Sequence, residues 1–225
     1  MAKTFIAVPC MDQVPSQFAH CLSVIQKVGE TTIGLQIGSL VYNSRNELAR
    51  KAIANEADFV LWLDSDMVFA PDLLPKLMAH MADPDVSIVT GVYYRRLPPY
   101  TPVLYGQLDI EDRKCTWSEA TGELPNEPFE VAGAGFGGLL MRAGVLLDVG
   151  AKFGELFNPI HGTGEDLSFC WRARQCGYKI LCDPSVQLGH VSHTIIDKKF
   201  ADAYRVLREQ KEQETAQELR ADEQK

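Results

Sequence analysis

The sequence lacks the segments that would carry a chain into or across a membrane. Its 225 residues contain no apolar run of about 18 residues, and its start has no basic, apolar and small-residue signal pattern. Clusters of basic residues are also missing, since the formal net charge is -8 and Lys and Arg are dispersed. Nucleic acid would meet no basic face. We therefore expect a cytoplasmic protein without a transmembrane segment or a nucleic-acid partner.

Paired cysteines are absent as well. The six cysteines are scattered and no C-x-x-C pair occurs among them, which argues against a zinc site or a redox motif. In a reducing compartment such cysteines are expected to be free thiols, most of them buried. A hydrophobic content of 46% is sufficient for a globular core.

The first 90 residues do contain an alternation of strand-like and helix-like segments. This alternation is typical of a parallel sheet covered by helices. Prolines interrupt the pattern after Gly91, and residues 116–125 are typical of a hairpin turning at Ala120-Thr121-Gly122. The predicted strands are Thr4–Val8, Thr32–Ile37, Phe59–Leu63 and Val86–Thr90, and the predicted helices are Ser16–Val28, Ser44–Asn55 and Pro71–Met81.

Two later segments have unusual compositions. Residues 132–138 hold four glycines around Phe136, so the backbone there passes close to a ligand or to a tightly packed neighbour. The segment does not open a helix after the first strand, which excludes a dinucleotide fingerprint. From Phe200 onward the chain is charged and helix-forming. We therefore predict one domain over residues 1–195 and a charged helical tail over residues 196–225.

The apolar strand at 59–63 leads directly into Asp64-Ser65-Asp66. Residues i and i+2 of an extended segment point the same way, so both carboxylates would reach one hard cation such as Mg²⁺ or Mn²⁺. A cation held there would bind a diphosphate. The alternative is that Asp66 only caps the helix that follows near Pro71.

A second acidic pair, Glu165-Asp166, follows a loop bracketed by glycines. Both residues would favour a helix N-terminus, or one of them would act as a general base. The loop at 157–164 would then close over a ligand. Further on, a predicted strand, turn and strand over residues 178–193 end in His190 and His193. Each histidine is either structural or a further metal ligand, and we favour His190 as the ligand.

Taken in order, these motifs resemble the GT-A glycosyltransferases, and family-2-like members most closely. The resemblance extends over roughly residues 3–193. It implies an α/β fold, namely a GT-A (Rossmann-like) α/β/α sandwich with a mostly parallel central sheet, followed here by a C-terminal helical tail. It also implies transfer of a sugar from a nucleotide-sugar donor, a UDP- or GDP-sugar, to a sugar or other hydroxyl acceptor.

The resemblance implies a role for each matching residue. The carboxylates of Asp64 and Asp66, with Ser65 between them, would hold Mn²⁺ or Mg²⁺, and His190 would complete the metal site. Asp166 would be the base of an inverting reaction, with Glu165 as its partner in the catalytic pair. Arg45 would contact the base or phosphate of the donor, and Pro9 would lie beside the nucleoside.

One departure and two alternatives qualify this assignment. Gln36, Gly38 and Ser39 stand where some members carry an acidic residue that reads uracil, so UDP is favoured only weakly over GDP. A sugar-phosphate nucleotidyltransferase shares the topology, but residues 7–12 lack its basic, glycine-rich loop. A catalytically silent nucleotide-sugar binding module is the other alternative, and the intact Asp166 argues against it.

Overall fold

The structure is a computed structural model that describes residues 1–111, 114–120, 123–160 and 162–192, together with residues 198, 206 and 207. Met1–Val191 form one compact unit and Ser192–Lys225 form another. The predicted domain boundary at residue 195 lies outside the described residues. So does nearly all of the predicted tail, of which residues 198, 206 and 207 are helical.

The described residues form twelve strands and five helices. The strands are β1 Lys3–Cys10, β2 Glu30–Ile37, β3 Phe59–Trp62, β4 Met67–Val68, β5 Ile88–Val92, β6 Leu104–Glu111, β7 Lys114–Glu119, β8 Phe129–Val131, β9 Gly133–Ala134, β10 Leu139–Arg142, β11 Ile180–Gln187 and β12 Gly189–His190. The helices are α1 Ser16–Val24, α2 Val41–Ala54, α3 Leu73–His80, α4 Ala143–Phe153 and α5 Glu165–Gln175.

A seven-stranded sheet in the order β2-β1-β3-β10-β5-β11-β8 forms the centre of the first unit. Strands β2, β1, β3, β5 and β11 run in one direction, whereas β10 and β8 run against their neighbours. The predicted mostly parallel sheet is therefore confirmed. The antiparallel β10 between β3 and β5 was not predicted, and it comes from the chain that follows the glycine-rich segment.

Helices cover both faces of this sheet. Phe5 and Ala7 of β1 pack in the core beneath α2, α4 and α5, and the alternating Ile6 and Val8 pack in the core beneath α1 and α3. Because β1 is buried on both faces, its sequence is continuously apolar rather than alternating. The predicted α/β/α sandwich is confirmed.

Several predicted boundaries move by a few residues. Helix α1 ends at Val24 rather than Val28, because Ile25 is extended. Helix α2 begins at Val41, three residues before the predicted start. Helix α3 begins at Leu73 rather than Pro71, and its Pro75 lies in the first turn, where the missing N–H costs little. Strand β5 lies two residues further on than predicted.

The predicted hairpin over residues 116–125 is wrong. Strand β7 pairs antiparallel with β6 instead, with Glu111 opposite Lys114, and residues 123–125 form no strand. Of the predicted turn, Thr121 and Gly122 lie outside the described residues. In the predicted strand, turn and strand over residues 178–193, β11 runs from Ile180 to Gln187 with a shift of its pairing register between Cys182 and Gln187, and the short β12 follows after one residue.

All six cysteines are free thiols, as predicted, and Cys10, Cys21, Cys170 and Cys182 are buried. Among the described residues, no helix combines the length and apolar character needed to span a membrane.

Candidate active site

Three parallel strands end at the same edge of the central sheet and open a cleft there. Pro9 is the second-last residue of β1, Gly38 directly follows β2, and Asp64 comes two residues after the end of β3; the strand order reverses around β1 at this edge. Ligand sites of open α/β sheets lie at such switch points. The cleft has a volume of about 360 Å³ and is lined by Pro9, Cys10, Met11, Gly38, Ser39, Val41, Ser44, Arg45, Asp64, Ser65, Asp66, Arg96, Glu165 and His190.

Seven of the eight predicted site residues line this cleft, and the eighth, Asp166, follows Glu165 in α5. Gly38 allows α2 to approach, because a side chain there would meet the Ser44 hydroxyl at 2.8 Å. The N–H of Gly38 also donates to the carbonyl of Cys10 at 3.0 Å, which ties the ends of β1 and β2 together.

Arg45 links the two acidic pairs. Its Nη2 donates to Asp64 Oδ1 at 2.6 Å, and its Nε donates to Glu165 Oε1 at 3.2 Å. The side chain is only 3% exposed and lies over the Phe136 ring, 5.0 Å from the centroid. Burial would lower the pKa of the guanidinium, but the charges of Asp64 and Glu165 raise it above its ordinary value. Arg45 is therefore a fixed cation that holds both carboxylates.

Asp66 has different partners. Its Oδ2 accepts from Arg96 Nη1 at 3.0 Å and lies 3.4 Å from His190 Nε2. Burial disfavours ionisation of Asp66, but His190 and Arg96 outweigh it and lower the pKa of the carboxyl. The interpretation of Asp66 as a helix cap is wrong, since the residue preceding α3 is Asp72.

A short two-stranded pairing brings His190 to Asp66. Strand β12 pairs antiparallel with β4, so that His190 faces Met67, and the N–H of Val191 donates to the Asp66 carbonyl at 2.8 Å. His190 Nδ1 lies 3.0 Å from the Tyr94 carbonyl. Because a carbonyl only accepts, Nδ1 carries the proton there, and Nε2 faces Asp66. Residue 193 lies outside the described residues.

The donor set of Asp64, Asp66 and His190 is suited to a divalent cation, because carboxylate oxygens and an imidazole nitrogen are both accepted by Mn²⁺. Within the described ranges, however, no three acidic, histidine or cysteine side chains are already gathered as a coordination sphere. Arginines instead contact each carboxylate, Arg45 at Asp64 and Arg96 at Asp66. A carboxylate carries two oxygens, and the arginine contacts are at Oδ1 of Asp64 and at Oδ2 of Asp66.

Asp166 is the least neutralised carboxylate of the group. Its Oδ1 accepts the N–H of the next residue, Leu167, at 2.7 Å, as a first-turn acidic residue of a helix does. Gly164 occupies the N-cap position of α5 and offers no side chain. Burial and the neighbouring charge of Glu165 raise the pKa of Asp166 from 3.8 to about 6. Such a group accepts protons near neutral pH.

The glycine-rich segment packs against the protein rather than against open space. A side chain at Gly133 would meet Leu167 at 3.0 Å, and one at Gly137 would meet Met67 and Tyr93 at 3.0 Å. Between these close approaches Phe136 is buried against Trp62, with the two ring centroids 5.8 Å apart. The segment therefore holds Phe136 beside Trp62, and the guanidinium of Arg45 lies over these two rings.

The predicted lid is anchored at its first residue. Phe157 is fully buried and stacks on Phe169 with the two ring centroids 4.6 Å apart. Its N–H also donates to the Asn46 side chain at 3.2 Å. Closure of the loop stays a prediction that concerns the residues after Phe157.

Sequence reasoning missed Arg96 and its two aromatic neighbours. Arg96 lines the cleft, the Tyr94 carbonyl orients His190, and the buried Tyr93 ring lies 5.5 Å from the His190 ring. The signal was present, because Tyr93-Tyr94-Arg95-Arg96 directly follows a strand that is parallel to β3. The carboxyl end of that strand, β5, therefore lies at the same edge of the sheet as Asp64.

Comparison with known proteins gives one family. A family model described as "Glycosyltransferase like family 2" matches residues 5–219. The pre-mycofactocin glycosyltransferase of Mycobacterium tuberculosis, found in two strains, is 27% identical over 142 residues, which cover 61% of this chain and 27% of that protein. The chain thus spans about a quarter of the length of the curated relatives it matches.

Two solved structures share the fold. A197 from STIV has a TM-score of 0.60 at 19% identity, with 86% of this chain and 87% of that chain covered. GalNAc-T7, solved with UDP, GalNAc and Mn²⁺, has a TM-score of 0.59 at 12% identity, with 86% of this chain and 44% of that chain covered.

Proposed function

Because the chain belongs to glycosyltransferase-like family 2, we propose that it is a glycosyltransferase that moves a sugar from a nucleotide-sugar donor to an acceptor hydroxyl with the help of a divalent cation. The observation that carries this proposal is the convergence of Asp64, Asp66, Glu165 and His190 on one cleft at the switch point of the sheet.

In this proposal Asp64, Asp66 and His190 hold the cation. His190 is suited to this role because its Nδ1 is committed to the Tyr94 carbonyl and its Nε2 faces Asp66. An imidazole ligand favours Mn²⁺ over Mg²⁺, which prefers oxygen ligands. When bound, the cation would neutralise the charge that grows on the departing diphosphate. The Mn²⁺ and UDP bound to GalNAc-T7 support the choice of Mn²⁺ as the cation and of a nucleotide-sugar as the donor.

Asp166 is the proposed base of an inverting transfer. The acceptor hydroxyl gives its proton to the Asp166 carboxylate while its oxygen bonds to the anomeric carbon of the donor. The bond from that carbon to the diphosphate breaks, and the nucleoside diphosphate leaves. A pKa of about 6 leaves Asp166 ionised at neutral pH and still able to accept a proton. Glu165, which is paired with Arg45, positions the pair rather than receiving the proton.

The nucleoside would lie beside Pro9 and Ser39, between the ends of β1 and β2. A UDP- or GDP-sugar is the proposed donor, and a sugar or another hydroxyl compound is the proposed acceptor. The predicted contact of Arg45 with the base or phosphate of the donor stays part of the proposal; its guanidinium lies between Asp64 and Glu165, and its Nη1 has no hydrogen-bond partner.

The test is to assay the purified protein with UDP- and GDP-sugars, Mn²⁺ and a panel of hydroxyl acceptors, and to identify the released product. Transfer releases a nucleoside diphosphate, nucleotidyltransferase chemistry releases pyrophosphate, and a silent binding module releases neither. A chelator should abolish the release. Binding of UDP or GDP that is equally tight with Mn²⁺ and with chelator would contradict the proposed metal dependence.

A further inference from the structure

Arg96 reaches the cleft from the segment that follows β5. Its Nη1 donates to Asp66 Oδ2 at 3.0 Å, and its side chain is 53% exposed. The preceding Arg95 points elsewhere, because its Nη2 lies 2.8 Å from Glu119 and 2.9 Å from the Tyr105 hydroxyl. The two consecutive arginines therefore have separate partners, and Arg96 alone of the two faces the proposed metal site.

The other cations of the cleft are less accessible to an incoming anion, and the Nη1 of Arg45, which has no hydrogen-bond partner, is buried. Arg45 is 3% exposed, and its Nη2 and Nε bind Asp64 and Glu165. The ring nitrogens of His190 face Asp66 and the Tyr94 carbonyl. Among the described residues that line the cleft, Arg96 is thus the cation whose N–H donors are accessible to an incoming anion. An arginine fork is well matched to the oxygens of a phosphate group.

Arg96 and His190 meet the same oxygen of Asp66, since both lie within 3.4 Å of Oδ2. A divalent cation bound to Asp66 would compete with the guanidinium for that carboxylate and repel it. The guanidinium would then be free beside the cation, where the diphosphate of a donor lies in the proposed function. Arg96 would thus lose its contact with Asp66 and gain a contact with the diphosphate at the same place in the cleft.

We propose that Arg96 binds the donor diphosphate, and that it exchanges its contact with Asp66 for this contact when Asp66 binds the cation. This inference rests on the proposed function of the cleft. It assigns Arg96 two opposite effects, because Arg96 weakens cation binding by competing for Asp66 and strengthens nucleotide binding through the diphosphate. A residue that only oriented Asp66 would strengthen the binding of both the cation and the nucleotide.

The experiment measures the two effects separately in Arg96→Ala. Without nucleotide, Mn²⁺ binding followed by electron paramagnetic resonance should become tighter by about two- to fivefold, the usual worth of an exposed ion pair. At saturating Mn²⁺, the affinity for UDP and GDP measured by calorimetry should fall about tenfold or more, as expected for a lost charge-assisted hydrogen bond. Arg96→Lys keeps the charge without the fork, so its nucleotide affinity should be intermediate.

Arg50→Ala is the matched control, because Arg50 is an exposed arginine that pairs with Glu47 on α2, outside the residues that line the cleft. It should change neither affinity. An Arg96→Ala variant with unchanged nucleotide affinity, or with weaker Mn²⁺ binding, would overturn the inference while the wild type still binds both ligands. A wild type without Mn²⁺-dependent nucleotide binding would instead overturn the proposed function, and the inference with it.

Discussion

The two acidic pairs of the cleft share an arginine and differ in what surrounds their second members. Arg45 contacts the first residue of each pair, Asp64 at 2.6 Å and Glu165 at 3.2 Å. Asp66 is bound by an arginine and a histidine, and its pKa is lowered. Asp166 is bound by a backbone N–H, and its pKa is raised to about 6 by burial and by the charge of Glu165.

The difference shows how one side-chain type is divided between two roles. A carboxylate with cationic partners stays ionised over the whole neutral range and suits a metal ligand. A carboxylate that is buried beside another negative charge takes up a proton more readily and suits a base. The predictions below remove one side of this comparison at a time.

The largest effect is expected at Asp166. Asp166→Asn keeps the size of the side chain and removes the base, so turnover should fall by roughly 10²- to 10⁴-fold, while the affinity for UDP or GDP should barely change. Steady-state transfer and nucleotide calorimetry on both proteins provide the measurement. Turnover equal to wild type would show that Asp166 only supports the start of α5. The anomeric configuration of the product would then test for a retaining mechanism.

The next effect is expected at Asp66. Asp66→Ala should weaken Mn²⁺-dependent binding of UDP or GDP by more than the roughly 10- to 100-fold that is typical of residues that merely orient a ligand. Calorimetry with Mn²⁺ and with chelator measures it. Asp85→Asn, which changes an exposed aspartate away from the cleft, is the control. Unchanged affinity in Asp66→Ala would remove Asp66 from the metal site.

A smaller effect separates the two histidines. His190→Ala should weaken Mn²⁺ affinity by about tenfold or more, because His190 Nε2 lies 3.4 Å from Asp66. His193→Ala should weaken it less, since the resemblance assigns the ligand position to His190. Titration of Mn²⁺ into each variant measures the difference. Equal and negligible changes would return both histidines to structural roles.

The smallest effect concerns stability and pH. The folded state holds the Asp166 proton up to pH about 6, whereas the ordinary value is 3.8. Between these values the folded state binds the Asp166 proton more tightly than the unfolded state, so the contribution of Asp166 to the free energy of unfolding should fall as the pH rises. Asp166→Asn lacks this fall. In chelator, the free energy of unfolding of Asp166→Asn relative to that of the wild type should therefore increase by about 1–3 kcal/mol from pH 4 to pH 7.

Urea unfolding at both pH values measures this change. The comparison between the two proteins cancels the titration of groups that they share. A stability difference that does not change with pH would mean that the pKa of Asp166 is close to its ordinary value. In that case the contrast with Asp66 would be lost.

The sequence by itself determined the features that depend on residues close together along the chain. The strand at 59–63, the two carboxylates that follow it and the first-half alternation of strands and helices are local patterns of apolar spacing. They predicted a parallel sheet covered by helices and two carboxylates directly after its third strand. The close packing of the glycine-rich segment was likewise one of the two outcomes that its composition allowed.

Only the tertiary structure decided which distant residues meet. It inserted β10 between β3 and β5, joined Arg45 to Glu165 across 120 residues of sequence, and brought Arg96 to Asp66. The partner of a charged side chain depends on which segments fold next to each other, and local periodicity carries no record of that choice. For the same reason the raised pKa of Asp166 arises from burial and proximity, which exist only once the chain has folded.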